Sequence, residues 1–218
     1  MIPWLSGHPD RFPSVDQALT EPNGLLAVGG DLSVARLLAA YRRGIFPWYS
    51  AGEPILWWSP DPRLVLYPQE FKYRRSLAKS WRARGYRVTV NQAFDQIIAL
   101  CASTRREEGT WIHPEMRAAY RQLYQRGAAL SAETWDGDTL VGGLYGVKLG
   151  QVLFGESMVS VATDASKVAL AHLCQQADLY QIALIDCQMP TAHLASLGAR
   201  LISRTEFLTE VRRWHEPL

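Results

Sequence analysis

Phe154-Gly155-Glu156-Ser157-Met158 and Ala183-Leu184-Ile185-Asp186-Cys187-Gln188 are apolar stretches that turn polar just as they end. Each reads as a β-strand, and residues 164–176 between them read as one helix. A strand–helix–strand connection of that length joins two parallel, often adjacent strands by a right-handed crossover. Their carboxyl ends then point the same way and gather Glu156, Asp186 and Gln188 around one crevice, where ligands of open α/β sheets bind. Alternation puts Phe154, Glu156 and Met158 on one strand face. On the other strand it groups Leu184, Asp186 and Gln188 against Ile185 and Cys187. An acid and an amide leaving an apolar strand need partners. A strand-end cap bonded to a loop meets that need, and so does a set of groups acting on a ligand.

Working outward, residues 128–157 have a β pattern, with hairpin turns at Asp136-Gly137 and Lys148-Leu149-Gly150. Downstream come a helix at 191–197, a strand at 200–203 and a helix at 205–213. Upstream, a strand at 63–67 precedes a helix from Arg75 and a strand at 88–90. Asn91 is expected to cap a helix with Phe94, Ile97, Ile98 and Cys101 on its inner stripe. Pro114 opens and Gly127 closes a further helix carrying Met116, Tyr120, Leu123 and Tyr124. Residues 1–62 are rich in Pro, Gly and Trp. Their only strong helix is 33–43, with Ser33 as N-cap, Gly44 just past its end, and Leu37, Leu38 and Tyr41 on its inner face. The remaining turn chemistry predicts a small unit built from loops and docked on the rest. The expected class is α+β: a small N-terminal domain, 1–62, followed by a mixed-sheet domain, 63–218.

A chain of 218 residues with 48% hydrophobic and 20% charged residues suits one good core plus a small appendage. A net charge of +2 says nothing about partners. Cys101, Cys174 and Cys187 have neither metal-ligand nor disulfide-framework spacing and read as buried thiols. The Met1-Ile2-Pro3-Trp4 start lacks the pattern of a signal peptide, and no apolar run approaches the ~20 residues of a membrane span. A reduced, cytoplasmic setting away from membranes is therefore expected. The five histidines show no metal spacing, no Ser, His and Asp set reads as a triad, and Gly29-Gly30 and Gly142-Gly143 match no phosphate-binding fingerprint. Those glycines read as turn or close-approach positions.

Residues 72–87 hold Lys72, Arg74, Arg75, Lys79, Arg82, Arg84 and Arg87 with no acid. As a helix from Arg75 they set Arg75, Lys79 and Arg82 on one face, away from Leu77 and Trp81. A solvated face and a nucleic-acid backbone surface both fit such a run. Trp48 and Trp111, in polar or Pro-containing loops, are the tryptophans best suited to base stacking.

Longer blocks go further. Pro22-Asn23-Gly24-Leu25-Leu26-Ala27-Val28-Gly29-Gly30-Asp31-Leu32, Gly44-Ile45-Phe46-Pro47-Trp48-Tyr49-Ser50 and Ile55-Leu56-Trp57-Trp58-Ser59-Pro60-Asp61-Pro62-Arg63 are followed by Glu107-Glu108-Gly109-Thr110-Trp111-Ile112 and Leu140-Val141-Gly142-Gly143-Leu144-Tyr145-Gly146. With the two opening stretches and His193-Leu194-Ala195-Ser196-Leu197-Gly198-Ala199, they span nearly the whole chain. In these blocks the chain closely resembles the leucyl/phenylalanyl-tRNA–protein transferases. The resemblance implies a GNAT-like acyltransferase domain that moves Leu, Phe or Met from aminoacyl-tRNA onto proteins beginning with Arg or Lys, marking them for N-end-rule degradation. It implies no cofactor and no metal, because the ester to tRNA is already activated, and the protein is expected to work as a monomer.

Carried over by position, the resemblance implies that Asp186 and Gln188 handle the proton and that Glu156 holds positively charged substrate groups. It assigns Trp48, Trp111 and Tyr120 to the aminoacylated 3′ adenosine. Leu144, Met158, Leu170 and Ile185 fall in the side-chain pocket, where some relatives carry Met in place of Leu144. Arg75, Lys79, Arg82 and Arg84 fall on the tRNA-backbone surface. Two other classes remain open. An acyl-CoA-dependent N-acetyltransferase of the same fold needs a Gln/Arg-x-x-Gly-x-Gly/Ala loop, which Arg82-Ala83-Arg84-Gly85-Tyr86-Arg87 approaches without the final small residue. A non-catalytic tRNA-binding module predicts binding without transfer.

Overall fold

The computed structural model describes residues 2–104 and 112–215. The first elements are β1 (Trp4–Leu5), β2 (Leu25–Gly29), α1 (Val34–Tyr41), β3 (Phe46–Pro47) and β4 (Leu56–Trp58), whose strands form a sheet in the order β1-β2-β4-β3. This corrects the expectation of a unit built from loops. Strands of 2, 5, 2 and 3 residues are mostly too short for alternation to register. Ser33 caps α1 as expected, its hydroxyl accepting the Arg36 N–H.

The second set is β5 (Arg63–Leu66), α2 (Arg75–Arg84), β6 (Arg87–Val90), α3 (Phe94–Ser103), α4 (Pro114–Gln125), β7 (Ala129–Asp136), β8 (Thr139–Leu149), β9 (Val152–Ser160), α5 (Ala165–Gln175), α6 (Ala177–Tyr180), β10 (Leu184–Gln188), α7 (Ala192–Ser196), β11 (Arg200–Ile202) and α8 (Arg204–His215). Its strands form a seven-stranded sheet, ordered β11-β5-β10-β9-β8-β7-β6. In this sheet, among the described residues, β9 and β10 are the parallel pair, joined through α5 and α6, and the other neighbours run antiparallel. The strand–helix–strand expectation holds, with the short α6 added to the connection. Asn91 does not cap α3. It lies in the left-handed region (φ 58°) and its side chain accepts the Ser131 N–H at 2.9 Å, tying the end of β6 to β7.

Alternation along the large sheet divides the core into two faces. One packs Phe94, Ile97, Tyr120, Tyr145, Phe154 and Phe207 together with Leu37, Tyr41 and Trp57 from the N-terminal elements. The small sheet therefore shares a core with the large one, and each buried side chain of this size is worth about 1.5–3 kcal/mol. The opposite face packs Leu64, Leu144, Leu153, Leu170 and Ile185. Helix α5 can lie on that sheet because Gly142 has no side chain; a Cβ there would stand 2.6 Å from that of Ala165.

Candidate active site at a splayed strand pair

The parallel register of β9 and β10 ends at Phe154 opposite Asp186. Both strands are irregular just beyond. In β9 the partner of Gly146 is Gly155 and that of Tyr145 is Ser157, so Glu156 is the extra residue of a bulge. In β10, Asp186 pairs with Val65 and Gln188 with Leu64, leaving Cys187 extra. A bulge re-aims the side chains around it. It corrects the simple alternation expected here: Phe154 belongs to one core face and Met158 packs on the other.

Where the strands part, a cavity of about 320 Å³ opens between them. Leu144, Met158, Leu170 and Ile185 line it together, Leu144 and Met158 being direct cross-strand partners. Glu156, Asp186 and Gln188 line the same cavity, and Thr191, His193 and Leu194 border it from the α7 side. Seven of the residues singled out in the sequence thus share one space: four apolar and three polar.

The two acids have opposite surroundings. Asp186 is fully buried, and its oxygens accept from Arg63 Nε at 2.8 Å and Arg63 Nη2 at 2.7 Å. Arg63 also donates to the Gly44 carbonyl at 3.1 Å and lies between the rings of Phe46 and Phe207. Asp186 Oδ1 further accepts the backbone N–H of Gln188 at 2.9 Å. That bond holds Gln188 in the left-handed region (φ 62°), a conformation unusual for a side chain of its size. Asp186 therefore fixes the Gln188 backbone, not its amide.

The Gln188 amide donates instead to Glu156 Oε1 at 3.0 Å. The same oxygen accepts the Tyr41 hydroxyl at 2.6 Å, and Oε2 accepts that of Tyr120 at 2.7 Å. All three donors are neutral. Burial pushes the Glu156 carboxyl up to about 7, opposed by these hydrogen bonds and reinforced by the nearby Asp186 charge. Burial, and then the Glu156 charge, hold both phenols well above the ordinary tyrosine value, so they remain donors. Ser157 Oγ, also at the cavity, is buried without a hydrogen-bond partner among the described residues.

Tyr120, Trp48 and the α2 cations do not line that cavity. Tyr120 is fully buried beneath Glu156, with its hydroxyl on the carboxylate. Trp48 is 41% exposed and packs edge-on against Trp58. Arg75, Lys79, Arg82 and Arg84 lie on α2, all four exposed, while Leu77 is buried and Trp81 is partly buried beside it, its indole N–H donating to the Tyr86 carbonyl at 2.9 Å. Trp111 lies outside the described residues, as do Glu107 to Thr110 of its block. Among the described residues no cluster of three or more His, Cys, Asp or Glu could hold a metal ion, and no helix is long and apolar enough to cross a membrane.

A family model described as leucyl/phenylalanyl-tRNA protein transferase matches residues 65–212, and that of the same family's N-terminal domain matches residues 30–61. The chain belongs to this family. A leucyl/phenylalanyl-tRNA–protein transferase of Chromohalobacter salexigens is 59% identical over 209 residues, covering 95% of this chain and 82% of the relative. One from an Azoarcus species is 57% identical over 215 residues, covering 98% and 91%. Among solved structures, a ribosomal-protein-alanine N-acetyltransferase from Brucella melitensis superposes with a TM-score of 0.37 at 14% identity, over 49% of this chain and 82% of that one. The structure of L-PGS from Bacillus licheniformis gives 0.43 at 10% identity, over 88% and 74%. These superpositions are loose, and the assignment to an aminoacyltransferase family rests on the sequence relatives.

Two groups of this site escape a reading of the sequence. Arg63 closes one of the family blocks and sits in an apolar strand, which is the signal of a paired charge. Tyr41 reads as core from its helical spacing, and nothing in that spacing reports its hydroxyl.

Proposed function

We propose that this protein transfers Leu, Phe or Met from aminoacyl-tRNA to the N-terminal α-amine of proteins that begin with Arg or Lys, marking them for N-end-rule degradation in the cytoplasm. The observation that carries the reading is the cavity: apolar where Leu144, Met158, Leu170 and Ile185 meet, and polar where Glu156 and Gln188 meet. An unbranched apolar space suits these three side chains, and the Met158 thioether adapts to each. Neighbouring apolar side chains are discriminated only by about 10–200-fold per methylene. A space of about 320 Å³ is at the low end for a ligand site and has room for an aminoacyl group. In this reading Trp48 and Trp111 stack on the 3′ adenosine. Tyr120 contributes from below by holding Glu156.

The reaction is direct aminolysis of the ester. An α-amine has a reference pKa of about 7.7–8.0, so a neutral fraction is present near neutral pH. The cationic acceptor is drawn to Glu156, whose three donors are neutral and leave its charge unmatched. Gln188 positions the amine, while Asp186, tied to Arg63, holds the turn that aims Gln188. The α2 cations Arg75, Lys79, Arg82 and Arg84 meet the tRNA backbone. In this reading residues 1–62 form a small domain docked on a transferase domain of 63–218.

The test is transfer of labelled Leu from preformed leucyl-tRNA to peptides beginning with Arg, Lys or Ala. Transfer to the first two alone is the expected result. Equal labelling of the Ala peptide refutes the acceptor assignment, and tRNA binding without transfer to any peptide leaves a binding module.

A further inference from the structure

Aminolysis leaves one task without an owner. As the amine nitrogen bonds to the ester carbonyl carbon, it must lose a proton, and the departing ribose oxygen must gain one. Gln188 is a neutral amide and accepts no proton near neutral pH. Asp186 has no exposed surface and is bound by Arg63 and the Gln188 N–H. Glu156 already accepts three hydrogen bonds, which leaves about one lone-pair site for the acceptor's cation. The Cys187 thiol is pushed far up by burial and the Asp186 charge.

His193 is different. It borders the cavity from the first turn of α7, on the same cavity as Glu156 and Gln188. It is exposed, and its ring nitrogens make no hydrogen bond among the described residues. Its neighbour Thr191 is committed, since that side-chain oxygen accepts the Leu194 N–H at 3.2 Å. We infer that His193 is the proton carrier of the transfer reaction, a catalytic residue beyond the Asp186, Gln188 and Glu156 set; the inference rests on the proposed function. With the aminoacyl side chain among Leu144, Met158, Leu170 and Ile185, its ester lies at the polar rim between Gln188 and His193. The imidazole takes the proton from the attacking nitrogen. As the carbon–oxygen bond to the ribose breaks, the imidazolium returns that proton to the departing oxygen. The products are an amide and a ribose hydroxyl, and His193 ends neutral as it began.

The surroundings suit a base. Partial burial and the Lys167 ammonium hold the imidazole below its usual value, with the Asp164 carboxylate opposing them. Lys167 and Asp164 are at α5 and bonded to each other at 2.8 Å; Glu156 on β9 and Asp186 on β10 are the other charged groups at the cavity.

The experiment measures single-turnover transfer of Leu from leucyl-tRNA to an Arg-starting peptide by wild type, His193→Gln and His193→Ala. Both variants are expected to lose about 10²–10⁴-fold in rate. Their affinity for leucyl-tRNA is unchanged, and the acid limb of the pH–rate profile is shallower by one ionisation. Free imidazole restores part of the rate to His193→Ala. Undiminished transfer by His193→Gln overturns the inference alone, as does a slow variant with an unaltered acid limb or no imidazole rescue. Failure of the wild type to transfer overturns the proposed function and the inference together.

Discussion

Replacing Arg63 with Met probes the buried pair that holds the site. The guanidinium and the Asp186 carboxylate are both fully buried and joined by two bonds of 2.7 and 2.8 Å. Removing one partner leaves a buried, uncompensated charge, which costs about 3–5 kcal/mol. Loss of the bond to the Gly44 carbonyl orphans an acceptor and pushes the figure to the upper end of that range. In a chain of 218 residues each kcal/mol moves the melting temperature by about 2–4 °C, so a fall of about 10–20 °C is expected. Calorimetry and urea unfolding measure it. The double variant Arg63→Met with Asp186→Leu removes both charges and should recover much of the loss, with a coupling energy near the top of the usual range of about 0.5–3 kcal/mol. It should nevertheless lack transfer activity, because the Gln188 N–H no longer has its carboxylate. An unchanged melting temperature in the single variant, or a double variant no more stable than the single, refutes the reasoning.

Glu156 keeps its proton up to about 7 in the folded chain against an ordinary 4.5, so the folded state binds more protons between those values. Its stabilising contribution is complete below about 4.5 and is lost as pH rises through about 7; Glu156→Gln should lack this fall, and parallel melting-temperature profiles for the two proteins would refute it. Replacing Arg75, Lys79 and Arg82 together with Ala should weaken tRNA binding and flatten its salt dependence, by up to about 0.9 in log–log slope for each phosphate no longer neutralised; an unchanged slope means the face is merely solvated. Trp48→Ala should raise KM for aminoacyl-tRNA with only a modest change in melting temperature, because the side chain is already 41% exposed. Unaltered kinetics would return Trp48 to a packing role against Trp58.

What is legible in the sequence is local. Glu156, Asp186 and Gln188 fall together because two strands and one helix are written in consecutive residues with clear periodicities. What is not legible is long-range or aperiodic. Arg63 and Asp186 lie 123 positions apart, and Tyr41 and Glu156 lie 115 apart, so no pattern joins them. The bulge at Glu156 inverts the face that alternation assigns to Met158, and the one at Cys187 comes without any glycine or proline to announce it. The small sheet escapes a periodicity reading because its strands are mostly shorter than one full alternation. Asn91 has the chemistry of a helix cap but finds a stronger partner in the neighbouring strand, its side chain satisfying the Ser131 N–H.

The contrast between the two acids explains why the site needs both. Asp186 meets a guanidinium in a two-bond fork, so its charge is cancelled locally and an arriving cation gains little from it. Among the described residues Glu156 is hydrogen-bonded by dipoles alone, two phenols and an amide, and burial makes its ionisation reluctant, at about 7. In the proposed reaction a cationic acceptor supplies what those dipoles lack and draws the carboxyl toward its charged form. By linkage, ionisation of Glu156 strengthens acceptor binding by the same factor. Were the partners exchanged, with Arg63 on Glu156, the crevice would already hold its cation and the acceptor would have no reason to enter. In the proposed reaction, placing the permanent counter-charge on Asp186 keeps Glu156 available for substrate.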